Sequence, residues 1–581
     1  MKKISSLSAS HVGWMLAVFG FLIYSNTFKS AFVCDDPIVI SQNPAIRHLD
    51  VWNLWQAFNT RFVVGLSLAF NYALGRENVV GYHLFNLVVH VLNSFLVYQL
   101  VCLTFKTPRM SKSSLDPKLV GFLTALVFLT HPLQTQAVTY IWQRATSLAA
   151  FFYLGALVFY IKSRLKPSGI HYGLCLLLTL WGMFTKEIVF TLPFMIVLYE
   201  FVFFKHKKFL LLVPILLTLF LIPWGMTQTS GRTIKLLKPP TTALRHGQSF
   251  IQNTLEMTRA LGEDKMPRKD FVLTELNVLR TYLRLFVLPV KQSVDYDYPR
   301  ARSLLESNTF LSFLLLLSLF GGGVVLLKKH PLLSFGIFWF FLTVSVEALV
   351  AQEEFIFEHR MYLPMVGVGL CLVYLVNYLS KNKPRPLTLL ILAMVTGYSF
   401  LTYQRNFFWK DEFTLWDDAV RKAPMKARGY YNRGVAYQKK GLTDQALADY
   451  NKAIDLKPDL VDPYIDRASL QEKMGRPDNA LTDLNKAIQL DPENVDAFYK
   501  RALIYHLEGL LNPALDDLNR VIRLNPDYAV AYYARGSVLA KKGLPDKAIL
   551  DLNKAIQMRP GFTEAYNNRA ILLEEMKNGK K

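Results

Sequence analysis

Residues 427–460 read ARGYYNRGVAYQKKGLTDQALADYNKAIDLKPDL, and the chain repeats this plan three more times. Pro424, Pro458, Pro492, Pro526 and Pro560 recur every 34 residues, as do Gly441, Gly475, Gly509 and Gly543, and Arg433, Arg467, Arg501, Arg535 and Arg569. With repeats starting at Ala427, Val461, Val495 and Ala529, the eighth residue is Gly434, Ala468, Ala502 and Gly536. The twentieth is Ala446, Ala480, Ala514 and Ala548, and the twenty-seventh Ala453, Ala487, Val521 and Ala555. Small side chains at these places let two helices of one repeat approach closely. Gly ends the first helix and Pro the second. A period of this length predicts stacked helical hairpins.

This is the tetratricopeptide (TPR) pattern over about 427–560, with a capping helix at 563–577 and a half-repeat at 411–424 (DEFTLWDDAVRKAP) leading into it. Such a stack presents a concave groove. Its lining is predicted to include Tyr431, Gln438, Glu472, Tyr499, His506 and Tyr533. The groove suits a peptide or protein partner; the tyrosines alternatively serve packing within the stack.

Upstream the composition changes. The first 404 residues carry 37 Lys and Arg against 19 Asp and Glu, and the remainder 29 against 25, so most of the formal +22 lies upstream. That placement fits cytoplasmic loop charge and argues against nucleic-acid binding. Four scattered cysteines, Cys34, Cys102, Cys175 and Cys371, suit neither a disulfide framework nor a zinc site. Crossing a bilayer takes about 20 apolar residues. Candidate spans are 11–30, 83–105, 118–131, 145–161, 170–185, 188–204, 209–226, 308–327, 332–351, 361–380 and 387–404. The stretch 167–204 is too long for one span, and Lys186-Glu187 divides it into two antiparallel ones. Lys2 and Lys3 precede an apolar stretch with no small-x-small site after it, which reads as an uncleaved first span.

With the N-terminus cytoplasmic, the inside segments hold 17 Lys or Arg and the outside segments 31–82, 132–144, 186–187 and 352–360 hold six. Residues 271–290 (FVLTELNVLRTYLRLFVLPV) contain Glu275, Arg280 and Arg284. A charge at mid-bilayer costs about 2.5–3.5 kcal/mol, so this stretch reads as an interfacial amphipathic helix in a long outer loop, 227–307. The predicted fold is all-α: a polytopic transmembrane bundle of about eleven spans over 1–404, a juxtamembrane half-repeat linker at 405–426, and a TPR α-solenoid at 427–581. An odd count places the solenoid outside the cytoplasm.

Chemistry concentrates at the outer face. CDDPIVISQNPAIRHL (34–49) follows the first span, and its adjacent Asp35 and Asp36 suit a general base with a metal or hydroxyl ligand. Equally, Asp-Pro starts a turn. His83, HPLQTQAVTYIWQR (131–144), Lys186-Glu187 and EEFIFEHRMYLP (353–364) fall at the same face. Arg144, Lys186 and Arg360 suit a lipid-linked phosphate, or serve singly as interfacial anchors. His83, His131, Glu187, Glu358 and His359 are supporting candidates. The histidines lack metal-ligand spacing, and no phosphate-cradling Gly loop, nucleophile elbow or HExxH is present.

Several strings in this order resemble a family. They are DDPIVISQNP (35–44), LSLAFNYALG with GYHLFNLVVHVLN (66–93), HPLQTQAVTYIWQRATSLAAFFY (131–153), KEIVFTLP (186–193), SVDYDYP (293–299), EHRMYLP (358–364) and WKDEFTLWDDAV (409–420). The chain resembles the transmembrane and TPR-containing O-mannosyltransferase-like proteins and their bacterial relatives, of C-type glycosyltransferase (GT-C) architecture. The resemblance implies transfer of a sugar from a polyprenyl-phosphate donor to a protein or glycan acceptor on the non-cytoplasmic face, from a bacterial inner membrane. It implies Asp35 as the base and Asp36 as its partner or metal ligand, with Arg144, Lys186 and Arg360 on the donor phosphate. Whether a divalent metal takes part is left open. Gln143-Arg144-Ala145-Thr146 stands where animal members read Gly-Arg-Ala-Asp, and residues 60–66 lack the usual Arg-Pro. These departures leave the sugar open. The competing reading is a non-enzymatic, membrane-anchored TPR scaffold for envelope assembly.

Overall fold

A computed structural model describes residues 8–221, 267–349, 355–379 and 384–578. Among them every regular element is a helix. The chain divides into two compact units, the first running to Lys422 and the second beginning at Ala423.

In the first unit, three helices are long and apolar enough to cross a membrane: Val79–Thr104, Ile141–Leu165 and Ser307–Leu326. Ile141–Leu165 is the most enclosed, with 83% of its apolar window buried, and Ser307–Leu326 the least, with 22%. The former is the centre of the bundle and the latter faces its surroundings. Shorter apolar helices occupy Pro117–Thr130, Gly169–Met183, Phe209–Phe220, Pro331–Val346 and Pro364–Leu379. Helices occupy most of the described part of each predicted span, but among the described residues only three are long and apolar enough to cross a membrane. Lys186-Glu187 sits at the turn between Gly169–Met183 and Leu192–Phe203. Two of the bundle helices approach closely through glycine: a Cβ on Gly336 or Gly367 would stand 2.7 or 2.5 Å from the other's carbonyl oxygen.

The loop expected at 31–82 is largely helical, with Val51–Phe58 and Phe62–Gly75 inside it. The apolar runs there are shorter than a span, so a search for long spans passes over them. Residues 227–266 of the predicted loop 227–307 lie outside the described residues. Its far end forms the helix Arg268–Val287, which docks on Ser307–Leu326 through Asn277, Thr309 and Ser312 at 2.7–3.0 Å.

The second unit is four helix pairs, from Ala427–Lys439 with Thr443–Leu456 to Ala529–Lys541 with Pro545–Met558, and a final helix Thr563–Asn578. Gly441, Gly475, Gly509 and Gly543 have φ between 70° and 78°, the left-handed turn that ends each first helix. Ala446, Ala480, Ala514 and Ala548 have no exposed surface, as close helix packing requires. The recurring arginine has two partners. Arg433, Arg467, Arg501 and Arg535 pair with Asp449, Asp483, Asp517 and Asp551 of their own repeats at 2.6–2.8 Å. Arg467, Arg501, Arg535 and Arg569 also donate to Asn451, Asn485, Asn519 and Asn553 of the preceding repeat at 2.6–2.7 Å. The guanidiniums of Arg467, Arg501 and Arg535 thus tie their repeats both internally and to the preceding one.

Candidate functional site

The acidic pair lies in a short turn packed on the segment 140–142. Cys34 has φ +54°, a left-handed conformation unusual for a residue with a side chain, and it turns the two following carboxylates apart. Asp36 points inward and is 1% exposed. Its Oδ1 accepts the Trp142 N–H at 2.7 Å and its Oδ2 the Val33 N–H at 3.2 Å. Burial pushes its carboxyl up to about 8, against the pull of those backbone donors. Asp35 stays half-buried. Its Oδ2 accepts from the Tyr140 hydroxyl at 2.7 Å, and its own N–H donates to that oxygen at 3.2 Å. The pair therefore splits into two roles: Asp36 clamps the turn and Asp35 presents a carboxylate.

A metal ion does not suit this donor set. Both Asp36 oxygens already receive backbone N–H groups, and among the described residues no group of three or more His, Cys, Asp or Glu side chains can hold a metal. The possible metal-ligand role for Asp36 is thus replaced by a structural one.

Beyond Trp142 the site becomes cationic. Arg61 stands over the Trp142 ring at 5.8 Å and pairs with the partly exposed Glu187 at 3.4 Å. Lys186 donates to Thr146 at 3.0 Å, and Thr146 to Gln143 at 3.1 Å. Arg360 is buried over Phe357 and donates to the Phe355 carbonyl at 2.9 Å. His359 sits among these cations, bound through its N–H to Gln136 at 2.8 Å. Burial first, and then the charges of Lys186, Arg360 and Arg61, push its imidazole well below the ordinary range. Lys186, Arg360 and Arg61 thus all act by their charge on the His359 imidazole. The sequence reading missed Arg61, although it is the basic residue immediately before the helix Phe62–Gly75.

Arg144 departs from its predicted place. It has no exposed surface. Its Nε donates to Asn86 at 2.9 Å, its Nη1 to Asn71 at 2.6 Å and the Ser67 carbonyl at 3.2 Å, and its Nη2 to the Tyr82 carbonyl at 3.1 Å. The fork is consumed in joining the helices Phe62–Gly75, Val79–Thr104 and Arg144–Leu165, so it is not offered to a donor phosphate. His83 and His131 are also structural: each donates through Nε2 to a carbonyl, Ser30 at 3.0 Å and Phe286 at 2.8 Å. Glu358 is buried, held by Gln292 at 2.8 Å and Tyr296 at 2.7 Å and within 3.8 Å of Arg405. Burial raises its carboxyl above the usual range in spite of Arg405.

In the second unit, Tyr431 donates to Asp466 at 3.0 Å and Gln438 accepts from Tyr450, so both are engaged within the stack. Tyr499 packs on Tyr528 and Tyr533 on Phe562, with ring centroids 5.3 and 4.9 Å apart. The tyrosines pack. Glu472 and His506 remain half-exposed.

The tetratricopeptide repeat family matches residues 427–460, 473–509, 495–528 and 513–561. Over most of its length the chain is similar to curated animal proteins. Protein O-mannosyl-transferase F38B6.6 of Caenorhabditis elegans is 24% identical over 75% of this chain and 61% of its own length. Protein O-mannosyl-transferase TMTC3 of Homo sapiens is 25% identical over 68% of this chain and 44% of its own. Tmtc3 of Drosophila melanogaster is 24% identical over 75% and 54%. The chain spans about half the length of these relatives. Taken together, the chain carries tetratricopeptide repeats and is a homologue of the transmembrane and TPR-containing protein O-mannosyl-transferases.

Proposed function

We propose that the chain is an integral membrane glycosyltransferase that moves a sugar from a polyprenyl-phosphate donor to a hydroxyl of a protein or glycan acceptor. The site lies on the non-cytoplasmic face of an eleven-span bundle, and the repeat unit, on the same side, binds the acceptor or a partner protein. One observation carries this reading. A half-exposed carboxylate, Asp35, is fixed by Tyr140 at one end of the segment 140–142, and Arg61 stands over Trp142 at the other.

That arrangement suits glycosyl transfer. As the acceptor oxygen bonds to the anomeric carbon, Asp35 takes its proton. The bond from that carbon to the phosphate oxygen breaks, and the electron pair leaves on the phosphate. Arg61 and Lys186 stabilise the negative charge that gathers there. Mannose is the first sugar to test, since the relatives' names print it. The competing scaffold reading rests on the repeat unit alone and assigns no task to the cations around His359.

The test is to incubate purified full-length protein with polyprenyl-phosphate-linked sugars and acceptor peptides, and to read products by mass spectrometry. Glycopeptide from at least one donor supports the transferase. No product from any donor, with an Asp35→Asn protein that still complements loss of the gene, supports the scaffold.

A further inference from the structure

The segment between the last long helix and the repeats looks from sequence like a connector. Its contacts say otherwise. Trp409 is 1% exposed and stacks on Tyr140, ring centroids 5.6 Å apart and planes within 16°. Leu415, which has no exposed surface, joins Val33, Tyr140 and Trp409 in one small apolar cluster under the acidic turn. The backbone is tied there as well, since Ala31 N–H donates to the Lys410 carbonyl at 2.8 Å. The segment is itself anchored. Arg405 pairs with Asp418 at 2.8 Å and lies 3.8 Å from Glu358, and Lys422 pairs with Asp418 at 2.6 Å. Tyr140 therefore has one face fixed by an indole and its hydroxyl committed to Asp35.

We propose that Tyr140 is a positioning residue for Asp35 and that Trp409, with the segment Arg405–Lys422, holds Tyr140 in register, making this segment part of the candidate site. The inference rests on the proposed role of Asp35. Tyr140 donates to Asp35 Oδ2 and accepts the Asp35 N–H, so it fixes the carboxylate and the backbone that carries it. The Tyr140 hydroxyl thereby sets the orientation of the carboxylate that is to meet the acceptor hydroxyl. A carboxylate freed from this bracket rotates about its side-chain torsions, and displacement of a catalytic group by about 1 Å costs on the order of a hundredfold in rate.

The experiment measures sugar transfer by full-length protein in nanodiscs for Tyr140→Phe, Trp409→Ala, Trp409→Phe, Asp35→Asn and the double variant Tyr140→Phe/Asp35→Asn. Tyr140→Phe keeps the stack and removes only the hydroxyl. Its kcat is expected to fall roughly tenfold to a hundredfold, with KM for the donor unchanged. Trp409→Phe retains most activity, whereas Trp409→Ala falls to the level of Tyr140→Phe. The double variant is as inactive as Asp35→Asn alone, because the hydroxyl acts through that carboxylate. Wild-type kcat in Tyr140→Phe, or a double variant weaker than Asp35→Asn by the full Tyr140→Phe factor, overturns the proposal. Full activity in Asp35→Asn removes the base as well as its positioning. Loss in Tyr140→Phe alone, with Asp35→Asn inactive, keeps both.

Discussion

The two units use charge in opposite ways. In the repeat unit one arrangement, Arg with Asp and the preceding Asn, occurs again and again, with the arginines about one-fifth exposed. In the first unit the contacts made by Arg144 and Arg405 are each used once and are enclosed. A repeated, half-solvated contact can be lost at one place and kept at the others. A singular buried one has no substitute, because its former partners are left unpaired where water does not reach.

The largest expected effect follows from Arg144. Arg144→Met leaves the buried Asn86 and Asn71 amide oxygens unsatisfied, at about 1–3 kcal/mol each. The membrane unit is expected not to fold, read as loss of monodisperse protein, and Arg144→Lys is expected to fail too because an ammonium cannot reproduce the fork. A well-folded Arg144→Met would break the comparison. Next comes Lys186→Met or Arg61→Met. Each removes one cation from the proposed phosphate site and is expected to lower kcat/KM roughly tenfold to a hundredfold while the melting temperature holds. In the repeat unit, Arg501→Leu severs both Asp517 and Asn485 and should cost about 1–2 kcal/mol. Arg569→Leu, which breaks the contact to Asn553, should cost about 0.5–1 kcal/mol. Calorimetry should place both losses in the repeat transition and leave the membrane transition in place.

The smallest effect is a pH dependence. Burial raises the Asp36 carboxyl to about 8 in the folded protein, so folding favours its protonated form. The stability this gives is fully present below the unfolded value near 4 and is lost as pH rises through 8. The difference in melting temperature between wild type and Asp36→Asn should therefore shift against wild type from pH 5 to pH 8. A constant difference would show that the two backbone donors outweigh burial.

These differences also explain what could be read from the sequence. The 34-residue period announced the repeats, because a contact used repeatedly leaves a periodic trace; the Asp and Asn partners of Arg433 to Arg569 recur with the same period and were open to the same reading. The position of Lys186 beside a turn was legible from its two apolar flanks. The roles of Arg144 and Arg61 were not. Both are arginines near the ends of apolar stretches, and which one turns inward depends on Asn71 and Asn86, residues that carry no periodic or charge signal. Likewise, the division of labour between Asp35 and Asp36 depends on the left-handed turn at Cys34, where no glycine marks it. The helices inside 31–82 escaped notice because they are too short to span.

The account stands most directly on Asp35 as the base. Wild-type and Asp35→Asn proteins, matched in amount and melting temperature, would be compared for label transferred from a polyprenyl-phosphate sugar to an acceptor peptide. A loss of about a hundredfold to ten-thousandfold in the variant is predicted. Equal transfer by the two proteins would contradict it.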